Sequence, residues 1–472
     1  MIVEKDAIVR AVAEQIRQRL NQDDDSLMNK VQKNENKGIF DEVNEAVEAA
    51  YIAQRKLIAL GLENRGKIIE AIRNIGLANV ELLARMEVEE TGMGRYEHKV
   101  EKHHLAIEKT PGIEDVQPHV FTGDNGITLV ELLPYGVVGC ITPSTAPSET
   151  VFHNAICAIS AGNSAVISPH PAAIKTTTKV VELLNQAITE CGGPPNLVVS
   201  LRNATLQKAG EIMRHPKISL LVATGGEGVI KAVLSSGKKS ICAGPGNPPV
   251  LVDETADIAQ AGRDIVNGAG FENDINCIGE KEVLVIEEVA DQLIAEMVKH
   301  GAYLLTNKQE IDKLTKLVTT DEGAINKDFI GKNASVILKA MGINVTDDVK
   351  VIIYEVPADH ITVMKEFLMP ILPIIRIKSL DEGIELAVCI EGGNRHTACM
   401  HSKNVDNMTR FARAISTTIF VKNGPSYSGV GNGGEGFTAM TIAGPTGEGL
   451  TSPRTFARTQ RCVLVDGFNL RS

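Results

Sequence analysis

The chain has 472 residues, and its 48 Lys plus Arg stand against 59 Asp plus Glu, a formal net charge of −11. At a usual domain size of about 150 residues, this length predicts two or three lobes. The 43% hydrophobic and 23% charged residues are typical of a soluble chain with a sizeable core. The acidic balance argues against nucleic acid and an anionic membrane as partners, but permits a local pocket for an anionic ligand. No apolar run approaches the roughly 18 residues needed to span a bilayer.

The eight cysteines are scattered and predict reduced thiols. None forms a CxxC pair, and no Cys/His cluster has zinc spacing, so no metal site is expected. Most cysteines lie in apolar runs, such as those around Cys140, Cys157 and Cys389, where burial is the ordinary state.

The first segment differs from the rest. Residues 1–20 place apolar side chains at helical spacing, which predicts an amphipathic helix, and residues 21–37 are polar and read as a flexible linker. Such a helix is either a docking element or a helix packed on its own body. The tether favours docking to a partner.

The remaining organisation is predicted in chain order. Long amphipathic helices fill 38–111, and a turn signal followed by alternating residues at 121–134 predicts a hairpin or arm. From 137 to 252, apolar strands alternate with helices, which indicates a parallel sheet covered on both faces. A second α/β lobe follows to about residue 421, and the end is rich in Gly loops.

Three segments attract attention as ligand sites. The run GVGNGGEG fits GxGxxG at Gly431, Gly433 and Gly436, but no strand–turn–helix unit surrounds it, so a loop is predicted instead. Better candidates follow two apolar strands, at Ser168-Pro169-His170 and at Thr224-Gly225-Gly226. Ligands bind outside the carboxyl ends of strands in open α/β sheets, and small residues before a helix suit a pyrophosphate.

Cys277 and His396 are the candidate reactive side chains. Cys277 lies in a polar loop between a helix and a strand, where a thiol is either a nucleophile or an ordinary loop residue. His396 lies at a loop-to-strand junction and is either a general base or a structural histidine. His103, His104 and His119 are interpreted as surface positions.

Several ordered motifs resemble one family. They are the run VVGCITPSTAPSETVFHNAICAISAGNSAVISPHPAA, VATGG at 222–226, GPGNPP at 244–249, the loop around Cys277, and the two segments at 420–437 and 446–456. Together they resemble the aldehyde dehydrogenase superfamily, and within it the CoA-acylating branch. The resemblance covers nearly all of 38–471.

This resemblance implies an α/β fold with a Rossmann-type nucleotide-binding domain, an α/β catalytic domain and a small oligomerisation arm. The implied NAD/CoA-binding domain comprises 38–120 and 137–243. The catalytic domain is 244–445, and the arm comprises 121–136 and 446–472.

The resemblance also assigns roles. Cys277 becomes the nucleophile that attacks the aldehyde to give a hemithioacetal, whose carbon passes a hydride to NAD, and an acyl thioester is left on Cys277. The oxyanion is met by the Cys277 N–H and by Thr145, which stands where the superfamily has an asparagine. The strand end Ile141-Thr142-Pro143 and Glu366 are assigned to the cofactor, Glu366 through the nicotinamide ribose.

Departures from the superfamily pattern are informative. Ala243 occupies the place of the glutamate that activates water in hydrolytic relatives, so the thioester is expected to pass to the thiol of coenzyme A. Ala146 stands where CoA-acylating relatives carry an asparagine, Met369 replaces the glycine near Glu366, and Ser168 replaces a lysine for the adenosine ribose.

The implied reaction is NAD-dependent oxidation of propionaldehyde to propionyl-CoA, with CoA as co-substrate, in the lumen of a bacterial microcompartment. The alternatives are acetaldehyde as substrate, a hydrolytic aldehyde dehydrogenase, and a catalytically inactive scaffold. The N-terminal helix resembles an encapsulation peptide for shell proteins, and a homo-oligomer, a dimer or tetramer, is expected.

Overall fold

The computed structural model describes residues 37–468 and residue 470. The predicted helix at 1–20 lies outside the described residues, as does the predicted linker except for Lys37. The interpretation of both segments stays a prediction.

Three long helices open the described chain, as the Ala-, Leu- and Glu-rich patterns predict. They are α1 Val43–Leu77, α2 Val80–Thr91 and α3 Tyr96–Lys109. Helix α1 is interrupted at Gly61, whose φ of 76° lies in the left-handed region that a glycine adopts without steric cost.

The first half contains eight strands and four further helices. The strands are β1 Ile39–Phe40, β2 His119–Gly123, β3 Gly126–Pro134, β4 Val137–Ile141, β5 Ser164–Ser168, β6 Val198–Leu201, β7 Ile218–Thr224 and β8 Lys239–Ala243. The helices are α4 Pro147–Ser160, α5 Ile174–Glu190, α6 Leu206–Arg214 and α7 Glu227–Leu234. Six of these strands form one parallel sheet in the order β1-β6-β5-β4-β7-β8, which confirms the parallel α/β architecture predicted for this region.

The second half repeats the architecture. Its strands are β9 Pro249–Val252, β10 Glu282–Ile286, β11 Ala302–Leu305, β12 Val351–Glu355, β13 Ile371–Ile377, β14 Thr397–His401 and β15 Ile419–Lys422. Its helices are α8 Ile258–Gly270, α9 Glu287–Lys299, α10 Lys308–Val318, α11 Ala334–Ala340, α12 Ile361–Met364, α13 Leu380–Glu391 and α14 Val405–Ile415. The strands form a second parallel sheet in the order β11-β12-β13-β10-β9-β14-β15.

A three-stranded antiparallel sheet stands apart from both. Strands β2 and β3 form the hairpin that the turn signal predicts, and the last strand, β18 Ala457–Val465, pairs with β3 along its whole length. A short pair, β16 Ile442–Ala443 and β17 Gly449–Leu450, precedes it. The exact domain boundaries given above stay a prediction.

Helix α4 fixes the geometry of the first half. All of its residues are buried, with Phe152 and Ile156 packed in the main apolar cluster beneath the first sheet. A helix surrounded on every side by close-packed residues has little freedom to shift, so its first turn after Thr145 is held in place.

The predicted burial of Cys140 and Cys157 is confirmed, whereas the predictions for Cys389 and His103 are wrong. Cys140 and Cys157 are buried, as expected, but Cys389 is exposed because it lies on the face of α13 opposite the apolar one. His103 is fully buried because it lies on the same face of α3 as Ala106, toward the core; His104 is exposed. Among the described residues, no helix is long and apolar enough to cross a membrane.

Candidate active site

A cleft of about 1210 Å³ opens at the carboxyl ends of the first sheet. It is lined by residues that directly follow β4, β5, β7 and β8. Strand β4 has β5 on one side and β7 on the other, so the chain reverses its direction of growth along the sheet here. Such a switch point is where open α/β sheets bind ligands.

Twelve of the thirteen predicted site residues line this cleft. They are Ile141, Thr142, Pro143, Thr145, Ser168, Pro169, His170, Thr224, Gly225, Gly226, Cys277 and Glu366. Helix α7 begins directly after Gly226, so its first turn directs backbone N–H groups toward the cleft. The donor set fits an anionic pyrophosphate between two strand ends, although the roles of these residues stay a prediction.

The wall opposite these strand ends was not anticipated from the sequence. It consists of one side of α6 and the residue before it, and of α7 with the residues after it: Thr205, Leu206, Ala209, Gly210, Met213, Arg214, Gly228, Val229, Ala232, Ser235 and Ser236. The sequence has no local signal for this wall: that Leu206 is 85% exposed at the start of α6 is visible only in the structure.

The turn before Cys277 has an unusual backbone. Glu272, Asn273 and Asp274 have φ values of 57°, 54° and 59°, so three successive residues other than glycine are left-handed. Each such residue costs on the order of 1–3 kcal/mol and persists only where its surroundings impose it. The sequence END gives no indication of this turn, since these residues also suit ordinary loops.

Lys281 holds the loop that carries the thiol. Its buried Nζ donates to the Asp274 carbonyl at 2.9 Å, to the Asp274 carboxylate at 2.8 Å and to the Asn276 carbonyl at 3.0 Å. Lys281 follows Cys277 in the chain and binds two residues that precede it, so its ammonium closes the loop that carries the thiol. Its positive charge also lowers the pKa of the Cys277 thiol, whereas burial raises that pKa.

The Cys277 thiol is held in its protonated form. Burial, helped by the nearby Glu366 carboxyl, raises its pKa to about 12 against the opposing effect of Lys281. Burial also raises the pKa of Glu366 to about 7. A protonated thiol needs a proton acceptor, or a positive charge brought by a ligand, before it becomes a nucleophile.

His396 lies behind the cleft instead of lining it. It is 1% exposed, and burial lowers its pKa to about 4. Gly246 separates it from Cys277: a Cβ built on this glycine would be 2.4 Å from the Cys277 carbonyl oxygen and 3.0 Å from His396 Cγ. The ring is thus close to the Cys277 backbone, and its role as general base stays a prediction.

Thr145 lines the cleft just before α4. Its backbone carbonyl accepts hydrogen bonds from two buried lysines, which fixes the position of this residue. The first turn of α4 follows at Pro147, and a helix N-terminus favours nearby negative charge. The arrangement is able to stabilise an oxyanion at this end of the cleft.

The cleft offers few acid–base groups. Ala243 is 1% exposed at the end of β8, where its carbonyl accepts the Gly225 N–H at 3.2 Å. Among the cleft-lining residues of the described chain, Glu366 is the one carboxylate. Water activation at the position of Ala243 therefore has no side-chain base.

One group of potential metal ligands occurs within residues 37–468, away from the cleft lining. Glu87, His103 and Glu149 bring ligand atoms within 4.8 Å of one another. The Lys99 ammonium already lies 3.2 Å from the Glu87 carboxylate, and the Lys102 ammonium lies 3.5 Å from the Glu149 carboxylate. These lysines supply the positive charge that a cation would bring, so the cluster does not fit a metal.

Comparisons with known proteins identify the family. The family model described as "Aldehyde dehydrogenase family" matches residues 13–439. The acetaldehyde dehydrogenase (acetylating) EutE of Salmonella typhimurium is 47% identical over 438 residues, which cover 92% of this chain and 93% of that protein.

Two solved structures resemble this chain about as closely as that relative does. One is propionaldehyde dehydrogenase of Rhodopseudomonas palustris with bound CoA and an acylated cysteine, at 48% identity, a TM-score of 0.91, and coverage of 92% and 100% of the two chains. The other is a propionaldehyde dehydrogenase from the fucose utilisation bacterial microcompartment of Clostridium phytofermentans, at 50% identity, a TM-score of 0.90 and the same coverage. The chain therefore belongs to the aldehyde dehydrogenase family, among its acylating members.

Proposed function

We propose that this enzyme oxidises a short aldehyde, with propanal as the favoured substrate, to the corresponding acyl-CoA, using NAD. The observation that carries the proposal is a cleft at the switch point of a parallel sheet that holds one cysteine, Cys277, and no carboxylate at the position of Ala243. The acylated cysteine and CoA in the R. palustris relative support it.

In the proposed chemistry, the Cys277 sulfur attacks the aldehyde carbon after loss of the thiol proton. The carbonyl oxygen becomes negative and is stabilised by the Cys277 backbone N–H and the Thr145 hydroxyl. NAD, when bound, accepts the hydride of the aldehyde carbon. An acyl thioester then remains on Cys277; the CoA thiol attacks its acyl carbon, the bond from that carbon to the Cys277 sulfur breaks, and acyl-CoA leaves with Cys277 regenerated as the free thiol.

The remaining lining residues hold the ligands. The strand ends at 141–143, 168–170 and 224–226 contact the cofactor, and Glu366 holds its nicotinamide ribose. Burial raises the pKa of Glu366, and hydrogen bonds from the ribose hydroxyls would favour its carboxylate form. His396 is the candidate general base, because its buried Nε2 has no hydrogen-bond partner in the described chain.

Transfer to CoA is favoured over hydrolysis because the two nucleophiles differ in their need for a general base. Water is a poor nucleophile toward a thioester unless a carboxylate accepts its proton, and the place of that carboxylate is taken by Ala243. A thiol is partly ionised near neutral pH and needs less assistance. The thioester on Cys277 therefore persists until CoA arrives.

We also propose that the enzyme resides in a microcompartment lumen as a homo-oligomer. The C. phytofermentans relative comes from a microcompartment, and residues 1–20 have the amphipathic pattern of a docking helix for shell proteins. The apolar side chains of Val463, Leu464 and Val465 on β18 are about half exposed or more, as expected for a subunit contact. Deletion of 1–20 is expected to leave activity intact and to abolish co-purification with shells; unchanged shell association would contradict the docking role.

The test of the proposed reaction is NADH formation with and without CoA, over aldehydes of increasing chain length. We expect sustained turnover only with CoA, highest with propanal, and none in Cys277→Ala. Sustained NADH formation without CoA would instead support a hydrolytic enzyme. A maximum with acetaldehyde would support the acetylating alternative, and turnover by Cys277→Ala would show that the nucleophile is another residue.

A further inference from the structure

Six titratable side chains are buried together outside the cleft. They come from three helices and from the turn before Cys277, and are Glu87, Lys99, Lys102, His103, Glu149 and Glu272. Burying ions is costly unless each finds a partner, and apolar residues of similar size would often be no less stable. The cluster therefore calls for an explanation beyond stability.

Two members of this cluster contact both sides of the active site. Lys99 Nζ lies 2.9 Å from the Thr145 carbonyl oxygen and 2.9 Å from Glu272 Oε2. Lys102 Nζ lies 3.3 Å from the same carbonyl and 2.5 Å from the same carboxylate oxygen. Both ammoniums thus lie between one backbone oxygen and one carboxylate, and attract both.

The two contacted segments belong to different halves of the chain. Thr145 follows β4 of the first sheet, whereas Glu272 begins the left-handed turn that leads to Cys277. Thr145 and Cys277 both line the cleft, and 132 residues of sequence separate them. Their separation across the cleft is therefore determined by packing and by contacts such as these.

The turn also needs an external restraint. Three successive left-handed residues store strain, which is relieved if the segment is released. Glu272 is restrained at both ends: its backbone N–H donates to His98 Nδ1 at 2.9 Å, and its carboxylate is held by the two lysines. Loss of the lysine contacts would free one end of the turn.

We propose that Lys99 and Lys102 are positioning residues that fix Cys277 relative to the Thr145 oxyanion site by joining Glu272 to the Thr145 carbonyl. The inference rests on the roles proposed above for Cys277 and Thr145. Because misplacement by about 1 Å costs on the order of 100-fold in rate, loosening this connection should slow acylation of Cys277. Lys102 also contributes positive charge that lowers the pKa of the Cys277 thiol.

The experiment compares the full-length variants Lys102→Met and Lys102→Met/Glu272→Gln. The single variant leaves an uncompensated carboxylate in the core, so we expect a lower melting temperature and slower acylation. The double variant removes one charge of each sign, so the melting temperature should recover. The contacts of Lys102 stay lost and Lys99 now faces a neutral amide at position 272, so the connection is weakened, and the single-turnover rate of NADH formation with propanal should remain at least about tenfold below the wild type.

The Kd of NAD separates positioning from general damage. We expect it to be unchanged in the double variant, because the proposed cofactor contacts at 168–170 and 224–226 are not part of the cluster. The matched control is Lys217→Met/Glu48→Gln, an ion pair at 2.5 Å outside the cleft lining, which should acylate normally.

Recovery of the wild-type acylation rate in the double variant would overturn the proposal and leave the lysines a structural role. A normal rate in Lys102→Met would do the same. Failure of the proposed function itself is distinguishable, because it would show as a wild-type protein that lacks CoA-dependent turnover or as an active Cys277→Ala.

Discussion

Gly246 separates the Cys277 backbone from the His396 ring, and Gly246→Ala tests whether this close approach sets the active geometry. The added Cβ would meet the Cys277 carbonyl oxygen at 2.4 Å and His396 Cγ at 3.0 Å, whereas ordinary contacts begin at 3.4 Å. To relieve the contact, the Cys277 carbonyl must move away from residue 246 by about 1 Å. Alternatively, residue 246 moves away from Cys277 and displaces the His396 ring. A displacement of about 1 Å at a reacting centre costs on the order of 100-fold in rate, which is the loss expected for acylation.

The assay is the single-turnover rate of NADH formation with propanal, together with the melting temperature. Overpacking of this kind costs about 1–3 kcal/mol, so the variant should still fold. Gly123→Ala is the control, because a Cβ at Gly123 meets nothing within 4 Å. A folded Gly246→Ala protein with the wild-type rate would refute the reasoning that this contact positions Cys277.

Three further predictions concern the electrostatics of the site. Thr145→Val should slow acylation by about 100-fold while Thr145→Ser retains most of it, measured by single turnover; equal rates would exclude the hydroxyl as an oxyanion donor. Lys281→Met should raise the pKa of the Cys277 thiol and slow its alkylation by iodoacetamide at a fixed alkaline pH. Burial raises the pKa of Glu280 from 4.5 to about 7, so its stabilising contribution is complete below 4.5 and is lost as the pH rises through 7. Glu280→Gln mimics the protonated form, and its melting temperature relative to the wild type should increase across this range, by an amount equivalent to roughly 3 kcal/mol; a constant difference would contradict the assignment.

The strand ends of the first sheet could be predicted from the sequence because their signal is local. Apolar runs ending in Ser168 or Thr224 define parallel strands, and strand polarity alone then places both ends on one edge. A polar loop also sets Cys277 apart from the cysteines in apolar runs, but this pattern leaves its role open between nucleophile and ordinary loop residue, and the family resemblance assigns it. A local pattern is sufficient where the chemistry follows directly from an element's end.

The buried charge cluster could not be predicted in this way. Lys99 and Lys102 read as ordinary helical lysines, and what buries them is the packing of α3 against α4 and against the turn at Glu272. The same packing buries His103, which the sequence pattern places on the surface. Partners separated by up to 173 residues leave no periodicity for sequence reasoning to find.

The most direct test of the central claim is to trap the enzyme between its two half-reactions. With propanal and NAD but no CoA, we predict one NADH per active site and a propanoyl group on Cys277, located by mass spectrometry of the digested protein. Addition of CoA should remove the group and yield propanoyl-CoA. Continued NADH formation without CoA, or an acyl group on any residue other than Cys277, would contradict the account.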